Sequence, residues 1–544
     1  MSWTSLSIIM GNLIRHLFIL LLFTLFFISI YSPLYNGHYV FGEDYAGLWT
    51  NKDWPLLTKE SFFSFFHDFT FEGRILGDLY VYIVFFKYIN QVKNLDAANT
   101  IRLVNTVVLG ATAYTMYLIF KINKFKPLHA IMLSILICTL PPSQRYISTI
   151  CCGFFTFGAF FSSLSALLLF STIFKNSDNR SVTVISILIS AFLLIIALNL
   201  YQPSAMIYWA LTMVPLVISN GDGFIKRLGK PILMYFLTGF ISIVSYYLLV
   251  KVMLALIDFT TPSFIRRGGI ITIQEIPARI MDFINYPLYT ALNLWNIFPN
   301  RTVGLSVIML ILIGILSYLI PIKNDKNLSI QFFYRCSLML ILIPMSFSPN
   351  VILKEGFNKM IPDFRILLGL EIAVLLFLYS GLFINIPHLL NILFNLPTTL
   401  RDRILTIGLT ILTIVATLSA YQNTKNFSNL HTGELEYIKK AIKEYRNHSS
   451  PEKLKLNIIL SNAELLNYHS YFTNLTSMWP GPLKAILHLA IYETGMDPST
   501  AFKVYKNSEG LTSEDKNTIT IDMREYQKKA YKELNIPLSV KPFF

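Results

Sequence analysis

The chain has 544 residues, of which 54% are hydrophobic and only 14% charged, and its formal net charge is +14. With glycine counted as apolar the share rises to about 59%, above the roughly 45–50% of soluble domains. This argues against a soluble globular enzyme and for a polytopic membrane body, residues 1–421, followed by a polar tail, residues 422–544. The tail holds 16 Lys/Arg and 13 Asp/Glu, so the body ahead of it is charge-poor. Cys138, Cys151, Cys152 and Cys336 all lie in apolar stretches and form neither a disulfide framework nor zinc-ligand spacing.

In chain order, the first apolar run, 13–31, is too long for a signal-peptide core and lacks a small-x-small cleavage site, so it is expected to be an uncleaved first span. The loop after it contains the sequence FGEDYAGLW. Its adjacent acids Glu43 and Asp44 sit in an aromatic setting close to lipid headgroups, which suits a general base that takes the proton of a sugar hydroxyl. The alternative is a pair of solvated loop acids. Farther along, Phe62, Phe65, Phe66 and Phe69 fall at helical spacing opposite Lys59, Glu60, His67 and Asp68, the pattern of a helix lying in the membrane interface. The loop closes on Glu72-Gly73-Arg74, where the glycine lets the backbone turn and aim a guanidinium whose planar fork suits phosphate or carboxylate. Asp78, one turn later, could instead pair with Arg74.

Further runs long enough for about 30 Å of hydrocarbon are 101–120, 128–140, 153–174, 182–198, 204–218, 231–256, 303–320, 332–347, 365–384 and 404–420. Segment 75–89, with Asp78 and Lys87, is a doubtful addition. Short basic connections orient the chain, because Lys and Arg accumulate on the cytoplasmic side. Those with Lys121, Lys124 and Lys126; Lys175 and Arg180; Lys226, Arg227 and Lys230; Lys323 and Lys326; and Arg401 and Arg403 share one side only if 75–89 does not cross fully. The amino terminus is then cytoplasmic, and the tail and loop 33–74 lie outside. The +14 charge thus reports topology, and nucleic-acid binding is not expected, since no aromatic stripe interleaves the basic residues.

A break at Tyr201, Gln202 and Pro203 splits one long apolar stretch, either as a plain helical hairpin or as a turn whose Tyr201 and Gln202 face an external cavity. Arg266 and Arg267, ahead of two glycines, could grip a lipid phosphate or touch anionic lipid. Arg365, at the outer mouth of a span, is a third phosphate candidate, with Asp363 as its alternative partner. Glu371 and Lys251 are the main ionisable residues placed centrally in spans, where pairing with neighbouring helices is the ordinary role. The tail reads as a small α/β or α+β domain: a helix over 433–446 with Leu435, Ile438, Ile442 and Tyr445 on one face, strands at 455–460 and 518–522, and a helix over 482–492.

The acidic pair Glu43 and Asp44 after the first span, the Gly73-Arg74 step, about eleven spans and the external carboxyl-terminal segment together resemble the bacterial O-antigen glucosyltransferases of serotype-conversion clusters. This is the GtrII-like family, within the membrane glycosyltransferases of GT-C fold. Tyr201 and Gln202 add weaker support. Many relatives carry two aspartates where this chain has Glu43 then Asp44, and the tail matches no motif of the family. The resemblance implies a polytopic α-helical membrane protein of the bacterial inner membrane that moves glucose by a single inverting displacement. The donor would be undecaprenyl-phosphate-glucose, made by a donor synthase and turned to the outer leaflet by a partner flippase; the acceptor would be an O-antigen polysaccharide hydroxyl in the periplasm. Under that implication Asp44 is the base and Glu43 assists it. Arg74, with Arg266, Arg267 or Arg365, neutralises the departing phosphate, and Tyr201, Gln202 and Asp78 line the acceptor cavity. No cofactor is required, and a divalent metal is compatible with this scheme. An O-antigen polymerase or ligase, or a lipid-linked sugar flippase, would share the polytopic layout.

Overall fold

A computed structural model describes residues 3–39, 41, 74–81, 83–84, 96–150, 152–174, 180–215, 224–256, 271–292, 294, 337–338, 340–352, 364–385, 397–446, 455–460, 475, 480–495, 501–505 and 518–533. The helices of the body are α1 (Trp3–Ile30), α2 (Ser32–Asn36), α3 (Ile75–Val81), α4 (Asp96–Ile122), α5 (Pro127–Cys138), α6 (Pro141–Ser148), α7 (Gly153–Phe174) and α8 (Arg180–Leu200). After them come α9 (Gln202–Ala205), α10 (Ile207–Leu211), α11 (Phe224–Leu256), α12 (Ile276–Phe283), α13 (Tyr289–Leu292), α14 (Ser348–Ile352), α15 (Leu368–Ser380) and α16 (Thr398–Arg446).

Among the described residues six helices are long and apolar enough to cross a membrane: Met10–Ile30, Asp96–Ile122, Gly153–Thr172, Ser181–Leu200, Pro231–Met253 and one within Thr399–Tyr445. Their outer faces are apolar and open. Leu17, Leu21 and Leu25 of α1 and Leu188 and Phe192 of α8 are all more than half exposed, a girdle that hydrocarbon covers and water would not tolerate. Two expected spans are shorter apolar helices, Pro127–Cys138 and Leu368–Phe383. The first stops because Pro141 and Pro142 begin a new helix, α6, and proline has no N–H to continue the old one. The expected span 204–218 is not one helix where it is described. It is broken into α9 and α10, both buried, with Met206 as the joint. Segments 62–69 and 303–320, Cys151 and Cys336 lie outside the described residues.

Contacts define two ends of the bundle. At one end Lys126 pairs with Asp402 at 2.7 Å, while His129 meets the Tyr379 hydroxyl at 2.8 Å and the Thr406 hydroxyl at 3.1 Å. At the other end Asn423 donates to Gln144 at 3.3 Å. The stretch of α16 from Asp402 to Asn423 is about 32 Å long at the helical rise, close to the thickness of a bilayer core. The basic connections at 121–126 and 401–403 therefore share the first end, and α6 lies at the second.

Helix α16 has 49 residues and runs for about 74 Å, continuous through residues 421–422 where the composition changes. Its distal part meets a three-stranded parallel sheet of order β2-β1-β3, with β1 (Lys455–Ile459), β2 (Ala501–Tyr505) and β3 (Thr518–Asp522). In register, Leu456 lies opposite Phe502 on one side and Ile519 on the other. Leu456 and Ile458 on one face of β1 are fully buried and Ile459 on the other is buried too, as a parallel strand covered on both faces requires. Helix α18 (Met523–Glu533) packs on the sheet, and helix α17 (Pro480–Glu493) packs on α16. Leu435, Ile438 and Ile442 of α16 are fully buried, and the Tyr526 hydroxyl donates to the Leu430 carbonyl at 2.6 Å.

Candidate active site

The second end of the bundle is organised around Arg102, a fully buried arginine near the start of α4. A buried guanidinium is tolerable only when its donors are used. Here it donates to the Tyr39 carbonyl at 2.9 Å, the Ser148 carbonyl at 3.3 Å, the Leu34 carbonyl at 3.5 Å and the Asn99 side chain at 2.8 Å. It also lies 3.9 Å from the Tyr39 ring centroid. Arg102 thereby joins the chain leaving α1 and α2 to the end of α6.

Helix α6 carries a second arginine, Arg145, at 2% exposure. Its guanidinium sits 4.8 Å from the centroid of the Phe41 ring, and Phe41 also packs against His431 and Phe427 of α16 at 4.7 and 5.1 Å. The next residue, Tyr146, is buried and donates through its hydroxyl to the Arg365 carbonyl at 2.8 Å. Tyr146 meets the Phe155 ring edge-on at 5.3 Å, and Phe155 stacks on Tyr201 at 3.6 Å. Arg74 completes the layer, its guanidinium 4.9 Å from the Tyr201 ring centroid.

Arg74 reaches Tyr201 because of Gly77. A Cβ there would lie 2.8 Å from the Leu200 carbonyl and 3.0 Å from Phe154, so only glycine lets α3 dock against the end of α8. Arg74 touches Tyr201, and Asn99 touches Arg102, whose partner Ser148 is in the same short helix as Tyr146. Positions 74 and 99 thus sit at one end of the bundle, on the two sides of the doubtful segment 75–89.

Of the residues singled out in the sequence, Arg74, Tyr201 and Arg365 are brought into one layer, and Gln202 adjoins it, donating to the Tyr246 hydroxyl at 2.6 Å. Tyr201 is 3% exposed. Its ring meets Phe155 and the Arg74 guanidinium. Glu43, Asp44, Gly73, Arg266, Arg267 and Asp363 lie outside the described residues, as does the side chain of Asp78. Glu371 is buried in α15 with no hydrogen-bond partner for its carboxylate among the described residues, and Lys251 is exposed on α11. Neither forms the helix-to-helix ion pair expected of it among the described residues. Among those residues, too, no three His, Cys, Asp or Glu side chains gather as metal ligands.

Arg102, Arg145, Tyr146 and His431 were not among the sequence candidates. The signal for two of them was present in Pro-Pro-Ser-Gln-Arg-Tyr, a polar run just after a proline pair that stops a helix at membrane depth. Backbone that departs from a long helix there is tolerated only where protein or a water-filled cavity surrounds it. Arg102 gave no comparable signal, being one cation near the end of an ordinary apolar run.

Residues 80–377, more than half of the chain, match the family described as glucosyl transferase GtrII. No curated protein matches the chain.

Proposed function

The chain belongs to the GtrII glucosyl transferase family, and from that premise we propose that it glucosylates O-antigen from a polyprenyl-phosphate donor on the periplasmic face of the inner membrane. The acceptor hydroxyl attacks the anomeric carbon of glucose while its proton passes to the Asp44 carboxylate, which Glu43 assists. The bond from that carbon to the phosphate oxygen breaks in the same step, and its electron pair leaves with the polyprenyl phosphate. One displacement inverts the anomeric centre. The negative charge then developing on phosphate is met by fixed cations, usually the largest electrostatic contribution to such a step.

The observation that carries this reading is the layer of Arg74 and Arg145, joined by the backbone of Arg365, around Tyr146, Phe155 and Tyr201, at the end of the bundle away from the Lys126–Asp402 pair. In this reading Arg74 and Arg365 hold the donor phosphate, Arg145 adds a third positive charge behind them, and Arg266 and Arg267 approach from the later external loop. Three cations are enough for one phosphate monoanion or dianion. A divalent metal is compatible with the site but has no assigned ligand.

Purified full-length protein in vesicles, given radiolabelled polyprenyl-phosphate glucose and lipopolysaccharide bearing O-antigen, tests the reading. Label is expected on the polysaccharide. Movement of the donor between leaflets without transfer would replace this reading by a flippase, and lengthening of the polysaccharide would replace it by a polymerase.

A further inference from the structure

We propose that helix α17 of the carboxyl-terminal segment clamps the base of the first external loop, with His38 and Glu493 acting as positioning residues for Glu43 and Asp44; this rests on the role of those acids given above. Glu493 ends α17, and its carboxylate accepts from His38 Nε2 at 2.9 Å and from Lys439 Nζ of α16 at 2.9 Å. One side chain of the carboxyl-terminal segment thus joins the last membrane helix to the chain just beyond the first. An exposed ion pair alone would contribute little, but His38 and Glu493 are both partly buried, and Glu493 shares its carboxylate with Lys439, so the contact ties three segments together.

Gly37 is pressed against Ser428 so closely that a Cβ would collide with its hydroxyl. Tyr39 is buried between Arg102 and the Phe427 and His431 rings, and Phe41 between Arg145 and the same pair. His431 is itself braced by Glu434 at 3.3 Å. Glu43 and Asp44 come two and three residues after Phe41, which keeps their Cα atoms within about 11 Å of it. Where Phe41 sits therefore governs where the acids can reach. None of α16, α17 or residues 37–41 belongs to the 80–377 stretch that defines the family.

The pair also sets a pH window. The hydrogen bond to Glu493 raises the His38 pKa above its ordinary value despite partial burial and the nearby Lys439; Glu436 acts in the same direction as Glu493. Burial alone would raise the Glu493 pKa, but the hydrogen bonds from His38 and Lys439 outweigh it and hold the carboxyl below its usual range. The clamp is therefore complete between the two values. It weakens as pH rises through the raised His38 value and as pH falls through the lowered Glu493 value.

The test uses the full chain in vesicles, with His38→Ala, Glu493→Ala, the double variant and His38→Lys, read by transfer kinetics and by amide hydrogen exchange over residues 37–41. Each alanine variant is expected to speed that exchange and lower kcat about tenfold or more, as small misplacement of reacting groups does, with the donor KM unchanged. The double variant should be no worse than the poorer single, because both changes remove one interaction. His38→Lys should restore the rate and abolish the alkaline fall of the pH profile, and Lys440→Ala, on the exposed face of α16, should match wild type. Unchanged exchange in Glu493→Ala, or faster exchange with wild-type kcat, would overturn the proposal. Full activity of Asp44→Asn would instead refute the assignment of the base, while the exchange result would still report on the clamp.

Discussion

Arg102 and Arg74 illustrate two uses of arginine at one membrane face. Arg102 spends its donors on the carbonyls of Leu34, Tyr39 and Ser148 and on Asn99. Replacing it with methionine keeps the volume but leaves buried carbonyls unbonded, each a loss of about 1–3 kcal/mol. Arg102→Met is accordingly predicted to lower the unfolding midpoint in detergent sharply, with activity lost through misfolding. Arg74 rests its guanidinium on Tyr201, an attraction of about 0.5–2 kcal/mol, and in the proposed reading it holds the donor phosphate. Arg74→Lys should therefore fold normally yet lose most of kcat, because an ammonium lacks the planar fork; a steady-state comparison of the two variants checks this. Arg74 was legible in the sequence because Gly73 precedes it at a loop end. Arg145 could have been read from the polar run behind Pro141 and Pro142, but Arg102 could not, since a lone arginine near a span end has the same pattern whether it snorkels to headgroups or is buried among carbonyls.

At the scale of elements, close approach decides what docks where. The Leu200 carbonyl lies 2.8 Å from where a Cβ on Gly77 would be, so Gly77→Val is expected to push α3 away from α8 and carry Arg74 off Tyr201. A loss of about 1–3 kcal/mol in stability together with reduced transfer would be seen by detergent unfolding and by the vesicle assay. Helix α16 couples the membrane body to the sheet through one uninterrupted ladder. Gln422→Pro should break that ladder at a cost of about 3 kcal/mol or more and release residues 37–41, which limited proteolysis of the first loop would detect. The strands at 455–460 and 518–522 and the apolar face Leu435, Ile438 and Ile442 were legible because alternation and helical periodicity are local signals. The strand Ala501–Tyr505 was missed, since its Lys503 interrupts a five-residue run too short to show a period. The break of 204–218 into α9 and α10 was also hidden, because an apolar run reads the same whether it is one helix or two joined at Met206.

Across the whole molecule, charge is sorted along one axis. Among the described residues the basic connections 121–126 and 401–403 lie beside the Lys126–Asp402 pair, and the arginine layer, α6 and the sheet lie toward the opposite end. In a chain with its native cysteines replaced by serine, Lys121→Cys is predicted to react with a membrane-impermeant maleimide only from the cytoplasmic side, and Glu436→Cys only from the periplasmic side. Labelling of both from one side would refute the orientation. That 121–126 and 401–403 share one end was readable by counting Lys and Arg, because the bilayer imposes such sorting on composition. The joining of residues 37–41 to Glu493 was not, because it is a contact between chain ends that no local pattern encodes.

The central claim is that carboxylates of the first external loop activate the acceptor beside the arginine layer. Transfer of labelled glucose by wild type, Asp44→Asn and Glu43→Gln, each in vesicles at saturating donor and matched folded protein, tests it most directly. Removing a positioned general base costs about 10²–10⁴ in rate, so Asp44→Asn is predicted to lose at least a hundredfold in kcat with little change in donor KM, and Glu43→Gln to lose less. Wild-type rates in both variants would contradict the account.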